Sequence, residues 1–282
     1  MSTQDDLLTK PQPPDRVYYA FGMLLDEEDF RAEQTYHRGR LARLAAYLQG
    51  AGTVAGLEVT VEADADETLR VSAGLGLDRL GRQIEVSRSA CLRLTRWWDA
   101  QLADARGRDA LANSFRSGGP GEPDGVVVDV FIKFVACERG KQPVFAATGF
   151  EALDAVSPSR LRDGYQLDLV IREEDPLPVP STPFPDLTGL DEAAARQRVL
   201  EYKLRDSWRE STAWSGPNET LVHESWQVSR QDGSELFLAR LYIPCEAVTL
   251  RRVTGSPVRV DNSLRQLIFS GAELAWLTQA WR

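Results

Sequence analysis

The chain has 282 residues, 43% of them hydrophobic and 27% charged, with a formal net charge of -9. That acidic balance lacks the basic footprint of a phosphate-backbone binder, so no nucleic-acid partner is expected. No apolar run approaches the roughly 18 residues that span a bilayer, and the first residues lack a basic then apolar leader, so neither membrane insertion nor secretion is expected.

Residues 1–16 are polar and contain Pro11, Pro13 and Pro14. With little apolar material beyond Leu7 and Leu8, the segment cannot offset an ordering cost of about 1–2 kcal/mol per residue. It reads as an extended arm that orders only on a neighbouring subunit, with Leu7, Leu8 and the three prolines as candidate interface residues. The run DEEDFRAEQTYHRGRLARLAAYLQG predicts a helix from Asp26 to Gln49. Asp26 is its N-cap, acids fill its first turn, and Gly50 follows its last periodic residue. Phe30, His37, Leu41, Leu44 and Leu48 form one stripe. That stripe is expected to pack on the first sheet, with His37 held structurally between helix and sheet.

The period then changes to two. TVAGLEVTVEA, TLRVSAGLGLD and GRQIEVSRSACLRL predict three or four short strands separated by Gly and Asp turns. TRWWDAQLADARGRDALANSF reads as a second helix with Trp98, Leu102 and Ala105 on one side. VVVDVFIKFVAC, residues 126–137, is apolar on both faces and predicts a central strand. SPSRLRDGYQLDLVIREE reads as a helical turn, capped by Ser157 and ended by Gly164, and then a strand with Tyr165, Leu167, Leu169 and Ile171 on one face.

Residues 175–189 hold five prolines and read as a semi-rigid linker. They divide an expected domain of residues 17–174 from a smaller one of residues 190–282. Beyond the linker come a helix with Leu190, Ala194, Val199 and Tyr202 along one side, and strands SWQVSRQ and SELFLARLYIP flanking an Asp-Gly turn. SPVRVDNSLRQLIF and a short helix, GAELAWLTQAW, close the chain. The expected fold class is α+β: mostly antiparallel sheets, a long N-terminal helix packed on them, and a smaller C-terminal α+β domain.

The glycines at 50, 52 and 56 raise the question of a nucleotide loop. A phosphate site needs strand, glycines, helix, so that the helix N-terminus faces the phosphate. Here the order is helix, glycines, strand, and the glycines read as a cap and close-packing positions instead. Only two histidines exist, His37 and His223, with no paired cysteines, so no metal site is expected. Cys91, Cys137 and Cys245 read as small core hydrophobes of a protein made in a reducing cytoplasm. No nucleophile elbow occurs, and the acidic clusters read as a helix start and a solvated strand end. No catalytic, cofactor-binding or metal-binding residue is therefore expected. Trp208, Trp214, Trp226, Trp276 and Trp281 crowd the last quarter, either as core or as a partner-anchoring surface, for which Trp276 and Trp281 are the candidates.

The run YYAFGMLLDEEDFRAEQTYHRGRLARLAAYLQGAGTVAGLEV, with LRVSAGLGLDRLGRQIEV after it, resembles structural proteins of phage tails and contractile injection systems. The positions that carry the resemblance are Asp29, Phe30, Glu33, Tyr36, His37, Gly50, Gly52, Val54, Gly56, Leu57, Gly74, Asp78, Gly81 and Arg82. SPSRLRDGYQLDL and VDNSLRQLI share the character of that group, while Thr53, Leu75 and Leu77 are mild departures. The strong part covers about a quarter of the chain. The resemblance implies a multi-copy structural role without catalytic residues, most naturally in or near a baseplate. Its partners would be baseplate, sheath, tube or fibre proteins, or further copies of itself. A cap-end adaptor or fibre connector of the same machine, or a carbohydrate-binding or carbohydrate-cleaving surface protein, are the alternatives.

Overall fold

The computed structural model describes residues 3–4, 6–9, 15–63, 67–118, 123–143, 156–180, 185–206, 228, 231, 233–253 and 255–280. In chain order the elements begin with β1 (Thr3–Gln4) and a 3-10 turn (Leu7–Thr9), followed by helix α1 (Glu27–Gln49). Six short strands follow: β2 (Gly52–Gly56), β3 (Val59–Val61), β4 (Thr68–Val71), β5 (Gly74–Leu77), β6 (Gln83–Val86) and β7 (Ala90–Arg93). Helices α2 (Leu94–Ala103) and α3 (Ala105–Asn113) lead through β8 (Phe115–Arg116) to the long strands β9 (Gly125–Pro143) and β10 (Val156–Ile171). The chain continues with α4 (Glu192–Glu201), β11 (Leu236–Pro244), β12 (Arg259–Asp261) and α5 (Gly271–Ala280).

The fold is α+β. All pairs between these strands are antiparallel, and the long N-terminal helix packs against the sheets. β9 is the spine. One of its edges carries β8 at Gly125 and Val126 and then β10 from Val128 onward. The other carries β11 along Gly125 to Ile132 and then β1 at Ala136 and Cys137. Two three-stranded sheets, β2-β5-β6 and β3-β4-β7, complete the β-structure.

Alternation along β9 sorts the interior. Val126, Val128, Val130, Ile132 and Phe134 join the main core with Leu57, Val71, Ile84 and Trp98. Asp129, Phe131 and Lys133 point to the other face, where Phe131 packs with Val170 and Phe237. Because β9 is covered on both faces, its sequence reads as nearly continuous apolar residues. Trp98 is also fastened by its polar end, its Nε1 donating to the Leu250 carbonyl at 3.1 Å.

Several expectations change. The second helix breaks at Asp104, whose extended backbone ends α2 and whose side chain caps α3 through Gly107 N at 2.8 Å. The expected helical turn at Ser157 is strand instead, because β9 offers a continuous ladder in which Pro158 lies opposite Lys141. Pro158 is tolerated there because, among the described residues, β10 pairs on one side only, with β9. α4 buries none of its residues, and Leu190 and Val199 stay exposed. The Pro-rich segment is no seam in the sheet: β11, beyond it, pairs with β9 and contributes Leu238, Leu241 and Ile243 to the same core. Most of SWQVSRQ lies outside the described residues.

Candidate functional site

Helix α1 begins as its sequence dictates. The Asp26 carboxylate accepts from the Glu28 and Asp29 amides, and the Asp29 carboxylate accepts in return from Asp26 N at 3.1 Å. Gly50 closes the helix at φ +77, its amide donating to the Ala46 carbonyl. The inward face is not the apolar stripe. Gly39 and Ala42 are the buried residues, and the backbone of Ala42 and Ala46 rests on Gly81 in the turn between β5 and β6. Small residues win here because they let helix backbone approach turn backbone.

The stripe expected to face the sheet therefore faces outward. Phe30, Leu41, Leu44 and Leu48 are 51%, 65%, 56% and 70% exposed. His37 is exposed as well, edge-on to the half-buried Tyr36, which Arg40 covers at 5.0 Å. It is thus not held between helix and sheet. In the segment before the helix Tyr18, Phe21 and Leu24 are exposed as well, and the Tyr19 hydroxyl donates to Glu33. That carboxylate, by the hydrogen bond it makes, holds the Tyr19 phenol above its ordinary value.

A buried polar network ties this helix to the rest. Asp78 accepts from Leu80 N and Arg82 N, both at 2.9 Å, and from Arg82 Nε at 2.7 Å. Arg82 also donates to Ser234 at 2.9 Å, reaches Asp6 at 3.4 Å and lies over the Phe134 ring. Burial raises the Asp78 carboxyl above its usual value, against the opposing pull of Arg82 and the two amides. Asp6 is shared with Arg38 of α1 at 3.2 Å. The described residues 3–4 and 6–9 of the N-terminal arm are consequently packed on their own chain. β1 adds to the edge of β9, Leu8 is 2% exposed, and Asp6 is buried between two arginines. The expectation that the arm orders only on a neighbouring subunit is overturned for residues 3–4 and 6–9, while Pro11, Pro13 and Pro14 lie outside the described residues.

The remaining motif positions gather at one close-packed corner. A β-carbon on Gly56 would sit 2.1 Å from the Ala73 carbonyl, and one on Gly74 would sit 2.4 Å from Leu57 N. Leu57 is fully buried at φ +57, a left-handed conformation that costs a non-glycine residue about 1–2 kcal/mol. Its carbonyl accepts from Arg265 at 2.8 Å. Gly52 leaves room for the Gln266 carbonyl, and Thr53 bonds Gln266 and Ile268 at 2.9 Å each. Asn262 pairs with both backbone groups of Val59. The two distant stretches GAGTVAGLEV and VDNSLRQLI thus meet side by side.

On the far face of β9, Asp129 is buried between Arg172 (2.6 Å) and Arg240 (2.7 Å), and Arg240 also donates to the Pro178 carbonyl. Lys133 pairs with Asp168 at 2.7 Å and Glu235 at 3.5 Å. The sequence reading missed these residues. Their signal was the isolated charge in VVVDVFIKF, since a charge inside a buried strand requires a partner. Burial pushes the Cys245 thiol up to about 11. Trp276 on α5 is 66% exposed, and Trp281 lies outside the described residues.

Among the described residues, no three His, Cys, Asp or Glu side chains converge to hold a metal ion. An open groove of about 470 Å³ is lined by Leu92, Arg93, Arg96, Trp97 and Ala100. Among the described residues no helix is long and apolar enough to cross a membrane. No protein-family model matches the chain, and no curated protein matches it either. What the molecule presents most strongly is the outward apolar face of α1 with the segment before it.

Proposed function

We propose that the chain is a non-enzymatic structural subunit of a multi-protein particle of the phage-tail-like contractile kind, seated in or near its baseplate. The observation that carries the reading is the exposure of Phe30, Leu41, Leu44 and Leu48 on α1, with Tyr18, Phe21 and Leu24 exposed in the segment before it. Exposed large apolar side chains in such number mark an interaction site. The buried residues of α1 are Gly39 and Ala42, so Phe30, Leu41, Leu44 and Leu48 are left for a partner.

Two further observations support a structural role. Buried charges that could serve chemistry are consumed in pairs, as in Asp78–Arg82 and Arg172–Asp129–Arg240. The positions that carry the resemblance also divide sensibly: Gly52, Gly56, Leu57, Gly74 and Gly81 build the scaffold, whereas Phe30 and His37 lie on its surface. In this reading the protein is made in the cytoplasm and works within the assembled particle, held by sheath, tube, fibre or baseplate subunits.

The test is native purification from the source cells, followed by particle sizing and mass spectrometry of what co-purifies. The expected result is a large particle containing sheath-like and tube-like subunits in defined ratios. A chain that migrates alone, or only with metabolic enzymes, would overturn the proposal.

A further inference from the structure

We propose that the outer end of the β9–β10 hairpin binds an extended acidic segment of a partner protein, taken up as an added strand on the edge of β10. The ladder between β9 and β10 keeps one register from Val128–Ile171 out to Pro143–Val156. β11 pairs with β9 no further than Ile132, and β1 only at Ala136 and Cys137. Beyond Cys137 the hairpin is therefore a two-stranded ribbon among the described residues. It carries its cations on one face. Arg160 lies directly opposite Arg139, Arg162 opposite Cys137 and Pro158 opposite Lys141. Opposed residues, and residues two apart along a strand, share a face of the pleat. Arg139, Lys141, Arg160 and Arg162 thus stand together, and all four are exposed. The nearest acid on that face is Asp168, which Lys133 already holds at 2.7 Å. Among the described residues none of the four cations meets a carboxylate.

Charge and backbone together define the occupant. Like charges set directly opposite weaken a strand pair, so Arg139 against Arg160 is a cost to the free chain that an anionic partner relieves. Among the described residues β10 has β9 on one side only, and its other edge offers backbone amides and carbonyls at strand spacing. A peptide can pair with that edge by strand addition. Carboxylates at alternate positions of such a peptide fall on the face of Arg160 and Arg162, because both strands share the two-residue period. Those arginines repel most strands that approach the edge and attract an acidic one, which makes the edge selective. A nucleic acid offers neither the strand-spaced backbone groups nor the alternation, and the net charge of -9 on the whole chain opposes so dense a polyanion. Pro158 has no amide hydrogen to offer, so the pairing run lies inward of it and includes both arginines.

This inference deepens the reading of an assembly subunit by giving the chemistry of one partner, and rests on it in expecting a protein at the ribbon. The probe is a fluorescein-labelled peptide of about eight residues alternating glutamate and threonine, long enough for one strand. Its fluorescence anisotropy is followed at low salt as the full-length chain is added. The expected result is saturable binding that weakens about tenfold in an Arg160→Ser/Arg162→Ser variant, which loses two exposed ion pairs. An Arg88→Ser/Arg106→Ser variant removes the same charge from two other exposed positions and should bind as the parent does. Circular dichroism and melting should be unchanged in both, since all four arginines are exposed. A peptide alternating glutamate and proline keeps the charge without the amide hydrogens of alternate residues, and it should bind far more weakly. No binding by the parent, equal binding by the two variants, or undiminished binding of the proline peptide would each overturn the proposal. Duplex DNA that binds more tightly than the peptide, and is lost in the Arg160→Ser/Arg162→Ser variant, would overturn it in favour of a nucleic acid. A particle whose isolated subunit ignores the peptide sinks this inference alone. Peptide binding by a chain found in no particle sinks only the particle reading.

Discussion

A β-carbon placed on Gly81 would lie 1.8 Å from the carbonyl oxygen of Ala42. Helix α1 therefore sits on the turn between β5 and β6 with backbone against backbone. Gly81→Ala must move the helix and also holds alanine at φ +79. The expected loss is about 2–4 kcal/mol in urea unfolding. Gly189→Ala is the control, with a similar φ of +75 and open space around it. It should lose only about 1 kcal/mol, the cost of the backbone conformation. Equal losses at the two sites would show that the helix contact contributes nothing.

Asp6 fastens the N-terminal segment to both α1 and the β5–β6 turn. Its removal leaves Arg82 paired with Asp78 but strips Arg38 of its carboxylate and Leu8 N of its acceptor. Asp6→Ala should cost about 1–3 kcal/mol. Hydrogen exchange across residues 3–9 should accelerate at least about tenfold, since 1.4 kcal/mol is already that factor. Unchanged exchange would mean that β1 and Leu8 hold the segment without the ion pairs.

The Arg172–Asp129–Arg240 triad gives a non-additive expectation. Asp129→Ala leaves two buried guanidinium groups facing each other and should cost about 3–5 kcal/mol. Replacing all three together, with Asp129→Leu, Arg172→Met and Arg240→Met, should recover most of that loss, because no unpaired charge remains. Chemical denaturation of both variants decides it. A triple variant less stable than the single one contradicts this account of the site.

Lys133 sets an alkaline limit. Burial alone would lower its ammonium, but Asp168 and Glu235 outweigh that, and the net shift is upward from 10.5. A cation with a raised folded value contributes stability that is fully present below the unfolded value. That contribution is lost as pH rises through the folded value. The melting-temperature gap between parent and Lys133→Met should therefore hold constant from pH 7 to about 10 and close above it. A gap that narrows between pH 7 and 9 would assign the effect to another group.

Much of the scaffold was legible in the sequence because local rules governed it. Asp26 and Gly50 bounded α1, and the apolar run at 126–137 marked the central strand. The packing of α1 was misread for a physical reason. Periodicity identifies an apolar stripe but not what covers it, and Gly39 and Ala42, with almost no side chain, left no hydrophobic signal on the face that is buried. The arm was misread because its anchors are polar. Asp6 looks solvated until Arg38 and Arg82, both distant in sequence, close around it. The joining of residues 50–57 to 260–268 also escaped, since Asn262 and Arg265 act through backbone groups that no side-chain pattern advertises.

Strand β9 has a consequence for the order in which the molecule can form. Its Gly125 pairs with Pro244 and its Cys137 with Thr3, so the sheet is closed by partners from both ends of the chain. During synthesis the β9–β10 hairpin emerges long before β11, and one edge of an apolar strand waits without most of its partner. Such high contact order makes folding slow, and an open edge invites pairing with a neighbouring nascent chain. A fragment ending in the Pro-rich segment would keep that edge permanently, so it should aggregate where the full chain does not. Ribosome-bound chaperones would meet this protein at its middle, during the time it takes to translate from residue 143 to residue 244.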